Sequence, residues 1–126
     1  WVGWITLVNP RSIQRGQVWK VTLDPTVGAE MAKTRPCAVV SRDSMGTLPI
    51  RVVVPITEWR QHFASQLWHV RLVPDRYNGL TKVSAADVLQ IRAVSEDRFV
   101  SQLGVLSADA MNDITAALAI VLRIGV

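Results

Sequence analysis

Arg35, Thr57 and Glu30 are the residues whose types and positions suit a reaction at a phosphate. Arg35 stands immediately before Pro36, and a proline there fixes the backbone where a loop enters a strand. Thr57 closes an apolar, β-branched run from Ile50 and is followed at once by Glu58, Trp59 and Arg60. If the two strands pair antiparallel, the start of one lies beside the end of the other, and Arg35 and Thr57 become neighbours at one end of the sheet. A guanidinium beside a hydroxyl, under a loop that carries Glu30, forms a clamp for a phosphate in a transition state. The plainer alternative is a solvated rim arginine and a strand-end threonine, and residue types alone leave both open.

Other chemistries find less support. His62 and His69 have no carboxylate at metal-ligand spacing, so neither a metal nor any other cofactor is expected. Cys37, the one cysteine, lies inside an apolar run beside Pro36 and reads as a buried structural thiol. A single cysteine also rules out an internal disulfide framework and points to a reducing, cytoplasmic setting. Neither a phosphate-binding glycine loop nor a dinucleotide fingerprint occurs.

The elements that must hold these side chains are mostly strands. Val18 to Leu23 alternates, with Trp19, Val21 and Leu23 on one face. Asp24 to Arg35 has no periodicity and reads as a long loop. Pro36–Ser41 and Ile50–Thr57 are β-branched strands, the second continuous enough to be buried on both faces. Asp43 to Gly46 carries turn chemistry between them. Trp68 to Leu72 alternates with Trp68, Val70 and Leu72 inward and His69 and Arg71 outward. Asn78-Gly79 makes a turn before Lys82–Val94, which reads as one strand, with a short helix from Ala85 as the alternative. Ser107 caps a C-terminal helix in which Met111, Ile114, Leu118, Val121 and Leu122 share helical spacing and Arg123 lies at the end. From Ala116 that helix is apolar all round, which implies burial on two sides, by the core or by a second copy of the chain. The expected architecture is α+β, mainly β: a small barrel with a C-terminal helix.

At 126 residues, 49% hydrophobic and 19% charged, the chain is sized and balanced for one folded domain. Its longest apolar run, Ala116 to Leu122, is far below the roughly 20 residues of a membrane span. Beginning on Trp1, with no basic residue before its apolar opening, the sequence reads as lacking its natural first residue and as having no secretory signal. Up to Lys82 there are 11 Lys and Arg against 5 Asp and Glu, and beyond it 3 against 5. Eleven of the 14 basic residues are arginine, which suits forked contacts to phosphates or carboxylates. An anionic partner, nucleic acid or an acidic protein, fits that charge, as does an ordinary basic surface.

Arg15-Gly16-Gln17-Val18-Trp19, then Leu23-Asp24-Pro25 with Gly28 and Glu30, then Arg35-Pro36 before Val39-Val40, resemble the opening of the MazF/PemK family of toxin endoribonucleases. Val54-Pro55-Ile56-Thr57 resembles the strand that carries the family's active-site threonine, and Gly79-Leu80, Ser84, Gln90-Ile91-Arg92, Arg98 and Leu103-Gly104 resemble its second half. The resemblance spans about Gln14 to Arg123, which sets residues 1–13 apart as an N-terminal extension before a toxin domain at 14–126. Trp1 and Trp4 would then pack on the surface or be disordered.

The resemblance implies an SH3-like barrel, a homodimer, an antitoxin of the MazE kind as partner, and metal-independent cleavage of single-stranded RNA at short sequences. The 2′-hydroxyl would attack the adjacent phosphate, leaving 2′,3′-cyclic phosphate and 5′-hydroxyl ends. Arg35 and Thr57 fall at the central pair and Glu30 at the loop glutamate. A guanidinium is a poor proton acceptor, so Glu30 is the expected base, with His69 second. Trp59, Arg60, His62, His69 and Arg71 are the expected RNA contacts, while Trp19 and Trp68 fit the core better. The loop departs from the family pattern at Ala29 and at Met31-Ala32-Lys33-Thr34, which implies a loop that is less mobile or that gates RNA differently, and leaves substrate preference open. Two other readings stand beside the nuclease. One is a CcdB-like toxin that binds a protein target such as gyrase, against which the absence of a tryptophan after the helix counts; the other is a catalytically silent RNA- or peptide-binding barrel.

Overall fold

Alternating and β-branched runs become strands here, and one turn capped by a side chain cuts the longest run in two. The computed structural model describes residues 13–45 and 48–125. Its elements are β1 (Gln17–Thr22), β2 (Thr34–Val39), β3 (Ile50–Glu58), β4 (His69–Leu72), β5 (Ser84–Asp87), β6 (Arg92–Ser95), β7 (Phe99–Val105) and α1 (Ala108–Leu122). Residues 1–12, and with them Trp1 and Trp4, lie outside the described residues. Ile13 is described and is buried beside Trp19 in the core.

All pairings are antiparallel, in the order β4-β5-β3-β2-β1-β7, and β6 joins the first half of β3. Among the described residues β4 and β7, the outer strands, do not pair with each other. The α+β, mainly β class therefore holds, but the expected barrel is open. The physical reason lies in α1, which packs against β4 and the turn at Val88–Gln90 and covers the core that a closing strand would have covered.

Strands β1, β2 and β3 bury both faces, as the continuous apolar run of β3 predicted. On one face Val18, Ala38, Val54, Ile56 and Ala86 pack under Met111, Ile114 and Ala117 of α1. On the other Trp19, Val21, Cys37 and Val53 pack with Val94 and Phe99. Ser107 caps α1, its Oγ accepting from the Ala110 amide at 3.1 Å, and Arg123 ends the helix at φ 57°. On the outer side of α1, Ile120 and Leu122 are exposed.

Two expectations need correction. Lys82–Val94 is neither one strand nor the start of a helix. It is β5 and β6, separated where the Asp87 carboxylate accepts the Leu89 amide at 3.1 Å and stops the first strand. Strand β7 was not foreseen, because its residues do not alternate cleanly and its pairing with β1 shifts register twice. The Asn78-Gly79 turn does form. Buried Asn78 accepts the Leu80 amide at 3.0 Å, and a Cβ on Gly79 would fall 2.1 Å from the Leu103 carbonyl oxygen. Only glycine lets this turn press on β7.

Four arginines serve the architecture rather than a partner. Arg15 donates to the Val40 carbonyl and, at 3.0 Å, to Thr115 on α1. Arg51 is buried against Glu96 at 3.0 Å and the Leu48 carbonyl at 2.7 Å. Arg92 donates to the Leu23 carbonyl, and Arg98 to those of Thr22 and Asp24. The arginine excess thus overstates the charge free for an anion.

Candidate functional site

The β2–β3 register pairs Cys37 with Pro55 and Ala38 with Val54, so the ladder's next positions outward bring Arg35 beside Thr57. This is the adjacency expected from antiparallel pairing. Along the face that α1 covers, Val18 and Ala38 are apolar, and outward from them on that face come Lys20 opposite Pro36, then Thr22 opposite Thr34. There the sheet opens into a cleft of about 620 Å³ whose lining includes Lys20, Arg35, Thr57, Glu58, Arg60 and Lys82. The Gly79–Lys82 segment forms part of its wall.

Arg35 is held from behind: its Nε donates to the Ala32 carbonyl at 2.8 Å. Among the described residues its Nη atoms have no hydrogen-bond partner, which leaves the fork available to a phosphate. The cleft holds four cations against one carboxylate, Glu58, which pairs with Lys82 at 3.3 Å. That pair is exposed and adds little to stability.

Glu30 is not brought to this pair. Its Oε1 accepts the Val27 amide at 2.8 Å, and it lines a separate cleft of about 260 Å³ with Met31, Gln90 and Arg92. A loop glutamate satisfied by its own loop's backbone is a local cap, and sequence spacing cannot distinguish that from a base.

The aromatic candidates gather around Phe63, which the sequence did not single out. Its ring lies 5.8 Å from Trp59, 4.7 Å from His62 and 3.7 Å from His69, the last stacked at 9°. Arg71 sits over Trp59 at 5.9 Å, within cation–π reach. Arg60, exposed, links this cluster to the cleft. His69 does not face solvent as the alternation of β4 suggested. Its side chain is 7% exposed, under Phe63, with Nε2 3.5 Å from the Asp87 carboxylate and Nδ1 buried without a hydrogen bond. Burial lowers its affinity for a proton below the ordinary value, and Asp87 opposes that in part. Trp19 is core, as expected, and Trp68 packs partly against it. Cys37 is fully buried and its thiol is pushed up to about 12 by that burial, which makes it an inert structural residue. Among the described residues no three His, Cys, Asp or Glu side chains gather as metal ligands would.

Lys20, Glu58 and Lys82, which line the larger cleft, and Gln90, which lines the smaller, are not among the candidates the sequence offered. Lys20 had a signal, as the polar position of an otherwise apolar strand; Lys82 and Gln90 reach their places through turns whose shape spacing does not reveal.

An open antiparallel sheet capped by one C-terminal helix, with a cationic cleft at the sheet's end, is a small α+β fold that this chain shares with solved structures. MazF from Deinococcus radiodurans has this fold, with a TM-score of 0.73 and 21% identity over 89% of this chain and 97% of that one. So does a mycobacterial endoribonuclease solved in complex with its cognate antitoxin, with a TM-score of 0.73 and 22% identity over 91% and 99%. Sequence goes further. Residues 14–122 match the family model of the PemK-like, MazF-like toxin of type II toxin–antitoxin systems. Endoribonuclease MazF9 of Mycobacterium tuberculosis (strain ATCC 25618 / H37Rv) is 30% identical over 112 residues, 84% of this chain and 92% of the relative. The chain belongs to the PemK/MazF toxin family.

Proposed function

We propose that this toxin is a metal-independent endoribonuclease that cuts single-stranded RNA at short sequences. The observation that carries the reading is Arg35 beside Thr57 in a cationic cleft, with the guanidinium fork unspent. RNA lies along the cleft, its phosphates drawn by Lys20, Arg60 and Lys82 and its bases stacking on Trp59, with His62 and Arg71 at the rim. The 2′-oxygen forms a bond to the adjacent phosphorus as the bond to the 5′-oxygen breaks, and the leaving 5′-oxygen takes a proton from water, giving a 2′,3′-cyclic phosphate and a 5′-hydroxyl. Arg35 stabilises the charge growing on the phosphoryl oxygens, and the Thr57 hydroxyl donates to the same group. The 2′-hydroxyl proton goes to a carboxylate. Glu58 already lines the cleft, whereas Glu30 would first have to leave the Val27 amide, so Glu58 takes the role expected of Glu30. His69, buried on Asp87, supports the aromatic platform instead of acting as base or RNA contact.

The family membership and the endoribonuclease relative favour this over a CcdB-like toxin acting on gyrase. A MazE-like antitoxin segment rich in acidic residues suits the same cleft, and both act in the cytoplasm. The exposed Ile120 and Leu122 side of α1 supports pairing with a second copy, which sedimentation of the purified chain tests.

The first experiment incubates the chain and its Arg35→Ala and Thr57→Val variants with long mixed-sequence RNA in excess chelator. Discrete cuts with 5′-hydroxyl and cyclic-phosphate ends are expected, slowed on the order of a hundredfold or more in each variant. Absence of cuts by folded, antitoxin-free protein would overturn the nuclease reading.

A further inference from the structure

The loop from Leu23 to Lys33 is closed at its neck by the Leu23 amide on the Lys33 carbonyl at 2.9 Å. Its middle packs on the core through Met31, and among the described residues outside the loop one side chain bonds it twice. Gln90, in the turn between β5 and β6, accepts the Met31 amide at 3.1 Å and donates to the Ala29 carbonyl at 3.2 Å. Between that clamp and β2 lies Ala32, whose carbonyl receives Arg35 Nε. Gln90 and Arg35 are 55 positions apart in the sequence, yet only this short stretch of backbone separates their bonds.

We propose that Gln90 is a positioning residue for Arg35: it fixes the loop so that the Ala32 carbonyl holds Nε and the two Nη atoms face the cleft. Two bonds of opposite polarity to alternate residues fix both the place and the orientation of the loop backbone, as a single bond would not. Arg35 gains from this because a guanidinium is a planar fork, and one bond at Nε sets the direction of all its remaining donors. The loop's own sequence supplies little rigidity, since Glu30 spends its carboxylate on Val27, three residues away. Arg92 and Arg98 hold the neck, at Leu23 and Asp24, and leave the middle to Gln90.

The proposal rests on the nuclease reading for its kinetic consequence, but its geometric part is independent of any RNA. Gln90→Met keeps length and removes both bonds. With the free protein, the Arg35 Nε–H signal in nitrogen-proton NMR is expected to be protected from solvent exchange in the parent and to lose that protection in Gln90→Met, while the backbone amides of β1 to β3 keep theirs. In cleavage of a short RNA, kcat is expected to fall between about ten- and a hundredfold with KM within about twofold, since misplacing a reacting group costs turnover more than binding. Gln90→Glu, which keeps the acceptor for Met31 and loses the donor to Ala29, should fall between the two, and it serves as the test if Gln90→Met does not fold. An unchanged Nε–H signal in the folded variant overturns the proposal, as does an unchanged or raised kcat. If the parent cuts no RNA, the nuclease reading fails while the NMR arm still decides whether Gln90 sets Arg35.

Discussion

Glu58 and Glu30 sit in different clefts, and their glutamine variants separate the two possible bases. Glu58→Gln removes the one carboxylate that lines the Arg35–Thr57 cleft among the described residues and is expected to cut kcat by about a hundredfold. Glu30→Gln keeps an oxygen for the Val27 amide and is expected to lose less than about threefold. Single-turnover cleavage at saturating RNA measures both. The reverse order would return the base to the loop and require the loop to swing on substrate binding. Sequence singled out Arg35 and Thr57 through a proline after a long loop and the end of an apolar run, both local marks, although the strand begins at Thr34, before the proline. It did not reveal that Glu30 accepts the Val27 amide, because the partner of a carboxylate is not written in its neighbours.

At the scale of elements, the segment between β3 and β4 depends on His69. Its neutral ring stacks on Phe63 and rests on Asp87, with His62 the other titratable group near it. Burial lowers the folded pKa below 6.5, so in acid the unfolded chain takes up a proton that the folded chain resists. The stabilisation is full above about pH 6.5 and is lost as pH falls from there towards the folded value. Urea midpoints of the parent should therefore decline between about pH 7.5 and 5.5, and those of His69→Gln should decline less over the same range. Equal slopes would mean that His69 is not the titrating group. The period of two in β4 was legible and its strand formed, but alternation assigned the wrong environment to His69, because the cover over that face comes from Phe63 in the preceding turn.

For the whole molecule, the question is how much of its charge is available to RNA. Arg15, Arg51, Arg92 and Arg98 donate to the protein's own backbone, while Lys20, Arg35, Arg60 and Lys82 line the cleft. Each cleft cation that meets a phosphate releases counterions, so removing one should flatten the dependence of log affinity on log salt by about 0.7 for a single strand. Arg60→Ala and Lys82→Ala, in filter binding over a salt series, are expected to show that change. Arg98→Ala should leave the slope alone. A slope change for Arg98 instead would relocate the RNA path to the loop neck.

Sequence by itself determined β1 to β4 and α1 as segments, though not the break between β5 and β6 nor β7, together with the burial of β3 on both faces and the Ser107 cap of α1, and it placed Arg35 and Thr57 at one end of the sheet. Each follows from residue periodicity, local capping or the antiparallel rule, which act over a few positions. Tertiary structure alone decided that the sheet stays open, that Glu30 caps its own loop, that four arginines are architectural, and that Gln90 reaches the loop beside Arg35. Those outcomes depend on which distant groups meet: α1 covers a core that a strand would otherwise close, and buried backbone carbonyls take whichever donors the fold brings to them.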